Sequence, residues 1–471
     1  MKIQKEIVFN AKRYAFLSDD SRELDSDTLF VRTKRNSAFF VPESIDAAKL
    51  IEYYKPLPNL VGITGTNGKT TTAALIYSLL LDMGYSCALI GTRGVFKNDI
   101  QIRPKGLTTP GVLELYAILE SVKECDFAIM EVSSHAIHQD RIAGLTFCAK
   151  VLTNITSDHL DYHKTIEEYI RVKNSFFADE TLKIINADEP RAYCNPSNLY
   201  TYGIESNANL KVNAYSLDHP MCAHIRYNPF YGKQAKNLAP QEQSEETLIE
   251  VPLYGKHNLY NVLGALLCVK RLCMEPALCS NLDLNSDISI SIESIAKKLE
   301  NFGGVEGRME VVSQNPLVIV DFAHTHDGMR QIFESFKTKK IIVLFGAGGD
   351  RDATKRPKMG KIAQQYAHRI YLTSDNPRSE NKESIIAQIA SGMTKEAHCI
   401  IEPDRRAAIW RAIAELQEDE VLLVLGKGDE KYQIIGTTQY PFDDKEEILN
   451  ALQRVKGGSQ VEVSKPIESG F

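Results

Sequence analysis

The sequence predicts an α/β protein with three α/β-rich domains, the central one a parallel sheet headed by a phosphate-binding (P-loop) turn. Three observations carry this expectation. Short apolar runs alternate with helix-period stretches over most of the chain, as parallel strands with crossover helices do. The run Leu60-Val61-Gly62-Ile63 passes through Thr64-Gly65-Thr66-Asn67-Gly68 into a helix starting at Lys69. The 471 residues, 43% hydrophobic and 25% charged, suffice for two or three separate cores.

Charge and cysteine usage narrow the function classes. Lys+Arg 55 against Asp+Glu 61 gives a net charge of −6, which argues against a nucleic-acid or anionic-membrane surface. The N-terminus lacks an apolar export core, and no run approaches about 18 apolar residues, so a cytoplasmic protein is expected. Nine scattered cysteines without a C-x-x-C pair fit reduced, mostly buried thiols.

The elements come in order along the chain. Residues 1–57 contain Asp20-Ser21-Arg22, the strand-like Thr28-Leu29-Phe30-Val31 and a second apolar run, Phe39-Phe40-Val41-Pro42. So short a segment buries little core alone and is expected to lean on the domain C-terminal to it. Residues 58–305 form the central domain, with strands at 87–90, 126–132, 147–152 and 182–185 and helices at 111–123 and 166–177. The polar, turn-rich stretch 209–253 reads as a small antiparallel addition, with strand-like pieces at 210–214 and 248–253, before an apolar helix at 259–272. Residues 306–455 form another α/β domain, with strands at 309–312, 317–321, 340–345, 369–373 and 421–425 and helices at 327–336, 358–367, 382–393 and 405–415. Residues 456–471 read as a mobile tail.

The turn before Lys69 makes an anion site, because backbone N–H groups and the helix dipole point into it. Lys69 adds a charge for β- and γ-phosphates, and Thr70 or Thr71 offers a hydroxyl for Mg²⁺. The strict G-x-x-x-x-G-K-[ST] spacing is not met, since Ile63 stands at the first glycine position, between Gly62 and Gly65. Glu131 ends a strand, where a carboxylate beside a phosphate loop can hold Mg²⁺. His159 and His163 are four apart and on a helix would share a face, as zinc ligands do, but no H-E-x-x-H glutamate accompanies them. Lys173 reads as one more helix-surface lysine, and Ser21 as a helix N-cap. Three motifs fall at strand ends of the last domain: Arg351 in Gly-Gly-Asp-Arg-Asp, then Asp375-Asn376-Pro377-Arg378, then Gly426-Lys427-Gly428-Asp429-Glu430. Two arginines can clamp a carboxylate while Asn, Asp and Glu receive an ammonium, which suits a zwitterionic amino acid.

The stretch Gly65-Thr66-Asn67-Gly68-Lys69-Thr70-Thr71 resembles the phosphate loop of the Mur ligases, the ATP-dependent amide-forming family of peptidoglycan synthesis. Glu131-Val132-Ser133-Ser134-His135 and at least four later motifs succeed it in family order. The resemblance implies the three-domain Mur architecture with a Rossmann-like C-terminal domain. It implies that the loop residues Gly65 to Thr71, with Asn154, His257, Asn258, Arg308 and Asp321, bind ATP. It places Thr70, Glu131 and His159 on Mg²⁺, joined by Lys173 carrying a CO₂-derived carbamate; Lys69, Lys173 and His159 form the catalytic set. Residues 1–57 then bind the UDP end of a muramoyl-peptide, through Ser21, and Thr108, Thr109, Ser133, Gln139 and Arg141 hold the rest of it. Arg351, Asp375, Asn376, Arg378, Gly426 and Glu430 fall to the incoming amino acid. Within the family, Asp-Asn-Pro-Arg marks addition of meso-diaminopimelate to UDP-N-acetylmuramoyl-L-alanyl-D-glutamate through an acyl phosphate. Asp429 departs from the family's histidine and makes its surroundings more negative. The rival readings are a folylpolyglutamate synthase-like ligase, opposed by Asp375 to Arg378 and by Thr108-Thr109-Pro110, and a non-catalytic nucleotide switch, opposed by Arg351, Arg378 and Glu430 together. The expected state is a monomer.

Overall fold

The computed structural model describes residues 1–39, 41–217, 219–232, 243–275 and 290–456. Phe40 and the expected tail beyond residue 456 lie outside the described residues. The chain divides into two compact units, Met1–Gly303 and Gly304–Phe471.

The first unit opens with a four-stranded sheet: β1 (Lys2–Phe9), β2 (Lys12–Ser18), β3 (Thr28–Arg32) and β4 (Ser44–Asp46). Its core residues, among them Leu17, Leu29, Val31 and Leu50, pack with Val112, Leu113 and Tyr116. The small N-terminal segment thus completes its core on a helix of the neighbouring sheet, because so few short strands cannot enclose one.

That sheet has eleven strands. In chain order come β5 (Asn59–Thr64), α1 (Lys69–Asp82), β6 (Cys87–Gly91), β7 (Gly94–Lys97), β8 (Ile100–Arg103), α2 (Val112–Ser121), β9 (Phe127–Glu131), α3 (Ser134–His138), β10 (Phe147–Leu152), α4 (Leu160–His163), α5 (Ile166–Ser175), β11 (Leu182–Asn186) and β12 (Leu199–Gly203). Then come β13 (Leu210–Ser216), β14 (Met221–Tyr227), β15 (Glu245–Val251), α6 (Lys256–Cys273) and α7 (Ile292–Ala296). The spatial order is β15-β14-β13-β12-β11-β10-β5-β9-β6-β7-β8. Strands β12 to β6 across the middle run parallel, and β5, which feeds the phosphate loop, is flanked by β10 and β9. The parallel strands are buried on both faces, hence their continuous apolar runs. The antiparallel addition holds a strand that the sequence pattern does not announce, β14, whose Cys222, His224 and Arg226 alternate with buried Met221, Ala223, Ile225 and Tyr227.

The second unit contains β16 (Glu310–Gln314), β17 (Leu317–Asp321), α8 (His326–Ser335), β18 (Lys340–Phe345), α9 (Lys355–Tyr366), β19 (Arg369–Leu372), α10 (Lys382–Ala390), β20 (Cys399–Ile401), α11 (Arg405–Ala414) and β21 (Glu420–Leu425). The hairpin β22 (Tyr432–Ile435) and β23 (Thr438–Pro441) and the helix α12 (Asp444–Lys456) complete it. Its sheet runs β16-β17-β21-β18-β19-β20, parallel except for β16. Arg405 and Asp444 form a fully buried ion pair with two 2.7 Å hydrogen bonds, and Arg405 also donates to the carbonyl of Leu425. Among the described residues no helix is long and apolar enough to cross a membrane.

Candidate active site

The phosphate loop is shaped by close backbone approach. A Cβ on Gly65 would lie 1.8 Å from the Thr153 hydroxyl, and Gly68 has φ +83° with Asn261 Oδ1 2.3 Å from where its Cβ would stand. Asn154 braces the loop from both sides: its Oδ1 accepts from the Asn67 N–H at 3.0 Å and its Nδ2 donates to the Asn67 carbonyl at 3.1 Å. Thr66 shares a 2.9 Å hydrogen bond with Tyr169. Lys69 donates from Nζ to the carbonyls of Gly65 and Thr66, both at 2.9 Å, which folds the ammonium back over the loop. Asn258 and Asn261 are buried and bonded to each other at 2.9 Å; Asn261 also accepts from Thr72, tying α6 to α1. His257 is pushed down to about 4 by burial, and its Nδ1 has no partner among the described residues.

Glu131 ends β9 beside this loop and is buried. Thr70 Oγ1 donates to its Oε2 at 3.0 Å, and the Thr92 N–H donates to Oε1 at 2.9 Å. A carboxylate and the Thr70 hydroxyl side by side at a phosphate loop are a hard-oxygen donor set that fits Mg²⁺. Thr92, which directly follows β6, bonds Glu131 and was missed by sequence reasoning; its position after a parallel strand was the available signal. Thr71, buried in α1, faces the interior.

One step outward, Thr108 and Thr109 meet this group. Thr108 lies 3.1 Å from the Thr92 hydroxyl, and Thr109 is fixed by the Glu131 carbonyl at 2.9 Å and the Ser133 N–H at 3.0 Å. Arg141 donates to the Thr109 carbonyl at 2.8 Å and through Nε and Nη2 to Gln139 Oε1 at 3.0 and 2.8 Å. The structure therefore brings Thr108, Thr109, Ser133, Gln139 and Arg141 together. Ser21 lies apart in a 3-10 turn, Ser21–Glu23, and the expected capping role belongs to Asp20, whose carboxylate accepts from the Arg22 N–H at 3.0 Å.

The fold gives no support to the already disfavoured zinc-type reading and corrects the plain reading of Lys173. His159 and His163 do not pair across a helix face. His159 precedes α4 with φ +53° and lies 3.3 Å from Asp158, whereas His163 is buried and its Nε2 meets Ser134 Oγ at 3.0 Å. Burial first, then neighbouring histidines, push His163 down to about 4; burial, His159 and Arg141 do the same to His135. Lys173 is not a surface lysine: it is 1% exposed on α5, with its Nζ 4.9 Å from the centre of the Tyr169 ring. No carboxylate pairs with it among the described residues. Burial, reinforced by Lys69 and opposed by Asp158, drives its pKa well below the lysine range.

In the second unit the three motifs come after β18, β19 and β21. Asn376 donates from Nδ2 to Glu430 Oε2 at 2.8 Å, and the fully buried Lys427 reaches Asn376 Oδ1 at 3.3 Å and Glu430 at 3.5 Å. Arg378 sits in the left-handed region, φ +50°, and donates to the Gly349 carbonyl at 2.8 Å. A Cβ on Gly348 would stand 3.0 Å from Arg378 Nη1 and 3.7 Å from Arg351 Cγ, so both arginines border one small residue; Arg351 is exposed. Asp375 is buried with its Oδ2 against Gly426. Asp321 accepts from the N–H groups of Met309 and Ala323, both at 2.7 Å, and burial raises its pKa. Arg308 stacks on Phe322 at 4.3 Å and lies 3.6 Å from Asp429. Asp429 thus offsets a cation instead of only adding negative charge.

A phosphate loop with a buried glutamate and the Thr70 hydroxyl beside it, followed by a second α/β sheet with charged and amide side chains at its strand ends, defines a class of nucleotide-using α/β enzyme. Residues 63–269 match the Mur ligase middle domain and residues 307–428 the Mur ligase glutamate ligase domain. The chain belongs to the Mur ligase family. It is 50% identical, over 96% of its length and 99% of the relative, to a Helicobacter hepaticus protein described as UDP-N-acetylmuramoyl-L-alanyl-D-glutamate–2,6-diaminopimelate ligase. It is 51% identical, over 94% and 97% of the two chains, to the Wolinella succinogenes protein of that description. A solved structure of a ligase so described superposes with a TM-score of 0.60 at 26% identity, covering 93% of this chain and 94% of that one.

Proposed function

We propose that this protein is a cytoplasmic, monomeric ligase that joins meso-diaminopimelate to the D-glutamate γ-carboxylate of UDP-N-acetylmuramoyl-L-alanyl-D-glutamate. The γ-carboxylate takes the γ-phosphoryl group of ATP, releasing ADP. The amine of diaminopimelate then attacks the acyl phosphate, giving an amide, phosphate and a proton. In this reading residues 1–57 take the UDP end, residues 58–305 carry ATP, and residues 306–455 choose the amino acid.

The observation that carries the reading is Lys173. A buried lysine beside a phosphate loop, with its ammonium form disfavoured, is an amine poised to react. Addition of its Nζ to CO₂ with loss of a proton turns it into an anionic carbamate, which offers oxygen where the bare side chain offers none. With Thr70, Glu131 and His159 it would hold Mg²⁺, which neutralises phosphate charge. Lys69 orients the γ-phosphate, Asn67, Gly65, Thr66, Gly68 and Thr71 shape the loop, and Asn154, His257 and Asn258 support the nucleotide, with Arg308 and Asp321 assigned to it as well. Ser21, Thr108, Thr109, Ser133, Gln139 and Arg141 hold the muramoyl dipeptide. Arg351, Arg378, Asp375, Asn376, Gly426 and Glu430 hold the zwitterion.

The test is kcat/KM for meso-diaminopimelate against L-lysine, which lacks the distal carboxylate. Wild type is expected to favour diaminopimelate by about 10⁴-fold, because lysine leaves an arginine unpaired. Arg378→Ala should raise KM for diaminopimelate, leave KM for ATP within about threefold, and narrow that ratio. A wild type that prefers L-lysine would sink the substrate assignment.

A further inference from the structure

Two loops of the second unit are stitched together by a buried cation that none of the three strand-end motifs contains. The loop after β18 carries Gly348, Gly349, Asp350 and Arg351, and the loop after β19 carries Asp375 to Glu380. Arg356, in the first turn of α9, is 1% exposed. Its guanidinium grips the Glu380 carboxylate with both arms, Nη1 to Oε2 at 2.7 Å and Nη2 to Oε1 at 2.8 Å. The same two nitrogens donate to Gln388 Oε1 on α10 at 2.8 Å and to the Gly348 carbonyl at 3.1 Å. Glu380 Oε1 also accepts from the Asp350 N–H at 2.6 Å. The Arg356 hydrogen bonds, first among the causes, hold the Glu380 carboxyl down at about 2, so the pair is charged at neutral pH.

The stitching continues on either side of this pair. The Asp350 carboxylate accepts from the Ser379 hydroxyl at 2.5 Å and from the Ser379 N–H at 3.2 Å. The Gly349 N–H donates to the Asn376 carbonyl at 2.9 Å, and a Cβ on Gly349 would stand 1.9 Å from the Pro377 carbonyl oxygen, so only glycine lets the loops meet there. Arg378 stands at φ +50°, a costly backbone for an arginine, which persists only where its surroundings over-determine it. Gly348, whose carbonyl Arg356 holds, is the residue that both Arg351 and Arg378 border. The acids closest in sequence to those arginines, Asp350 and Glu380, are engaged by Ser379 and Arg356. A carboxylate already gripped by a guanidinium competes little for another.

We infer that the ion pair of Arg356 and Glu380 is a specificity clamp: its two members are positioning residues that set Arg378, and with it Arg351, for the distal carboxylate of the incoming amino acid. The inference rests on the function proposed above. The reason is geometric. A guanidinium that engages a carboxylate through two parallel N–H groups tolerates little displacement, whereas an amino acid without the distal carboxylate makes no use of that alignment. Loosening the clamp therefore weakens one substrate and spares the other.

The test measures kcat/KM for meso-diaminopimelate and for L-lysine on wild type, Glu380→Gln, Glu380→Asp and Arg356→Lys, with KM for ATP and the urea unfolding midpoint alongside. Glu380→Gln keeps the shape but leaves one acceptor oxygen where three donors converge, and Arg356→Lys keeps the charge but loses the fork. Each should lower kcat/KM for diaminopimelate about 10- to 100-fold, mainly through KM, while L-lysine use and KM for ATP stay within about threefold of wild type. Glu380→Asp, with its charge on a shorter arm, should recover part of the Glu380→Gln loss. Should one variant lose its fold, as its midpoint would reveal, the others decide. Losses of equal size for both amino acids would show a clamp that only supports the fold and would overturn the inference, as would variants that match wild type. A wild type without preference for diaminopimelate over L-lysine would overturn the proposed function itself.

Discussion

The candidate sites of the two units hold their charged side chains differently. At the phosphate loop and its surroundings, cations rest on neutral groups. Lys69 donates to two backbone carbonyls and Arg141 to an amide oxygen and a carbonyl, while Lys173, whose ammonium form burial disfavours, lies against a ring. In the second unit charges pair with charges: Lys427 with Glu430, Arg356 with Glu380, Arg405 with Asp444, Arg308 near Asp429. Cations that donate to backbone carbonyls and amide oxygens contribute positive potential that attracts polyanions. Mutually satisfied pairs make one that accepts a molecule with both signs, by exchanging partners at little net change in charge. The contrast supports the proposal that the first site takes phosphate and the second a zwitterion.

The largest blow to this contrast should come from Lys173→Ala, which removes the group proposed to turn a buried cation into an anion. Activity should fall to background, bicarbonate should not restore it, and a small carboxylate such as formate should restore part. Activity at the wild-type level would end the carbamate proposal. Next, Arg405→Met strips one partner from the buried pair of the second unit. It should cost about 3–5 kcal/mol in urea or thermal unfolding, because Asp444 is left buried and alone. A loss under about 1 kcal/mol would show that pairing does not organise that unit. Lys69→Ala should lower kcat by about 100-fold or more while the unfolding midpoint stays put, since a preorganised donor acts on developing charge.

The smallest effect concerns pH. Bare Lys173 has a depressed pKa in the folded chain and about 10.4 in the unfolded one. Between those values the unfolded chain binds more protons, so stability rises with pH. In CO₂-free buffer Lys173→Met should therefore be more stable than wild type at neutral pH, with the gap closing as pH approaches about 10. A gap independent of pH would mean that Lys173 is not destabilised by burial.

The legible parts of the molecule were the local ones. The phosphate loop is contiguous from Ile63 to Thr71, and the strands feeding it are buried on both faces, so apolar runs and glycine spacing report them directly. The burial of Lys173 was not legible, because α5 presents charged Glu167, Glu168 and Arg171 on the same ten residues and its inward face is fixed by Tyr169 and Val172, both buried. The antiparallel β14 was overlooked although its buried Met221, Ala223, Ile225 and Tyr227 alternate with Cys222, His224 and Arg226, because it lies in a stretch otherwise polar and turn-rich. The pairing of Asp429 with Arg308 depends on a fold that brings residues far apart in sequence together, which motif order alone does not report.

One measurement bears most directly on the central claim, that the first unit energises a carboxylate which the second unit's amino acid then attacks. It is phosphate release from ATP with each of the other substrates omitted in turn, with hydroxylamine as a trap. Sustained release is expected only when the UDP-muramoyl dipeptide and meso-diaminopimelate are both present, and a hydroxamate is expected when the dipeptide meets ATP and the trap without diaminopimelate. Phosphate release that is equally fast without the dipeptide would contradict the claim.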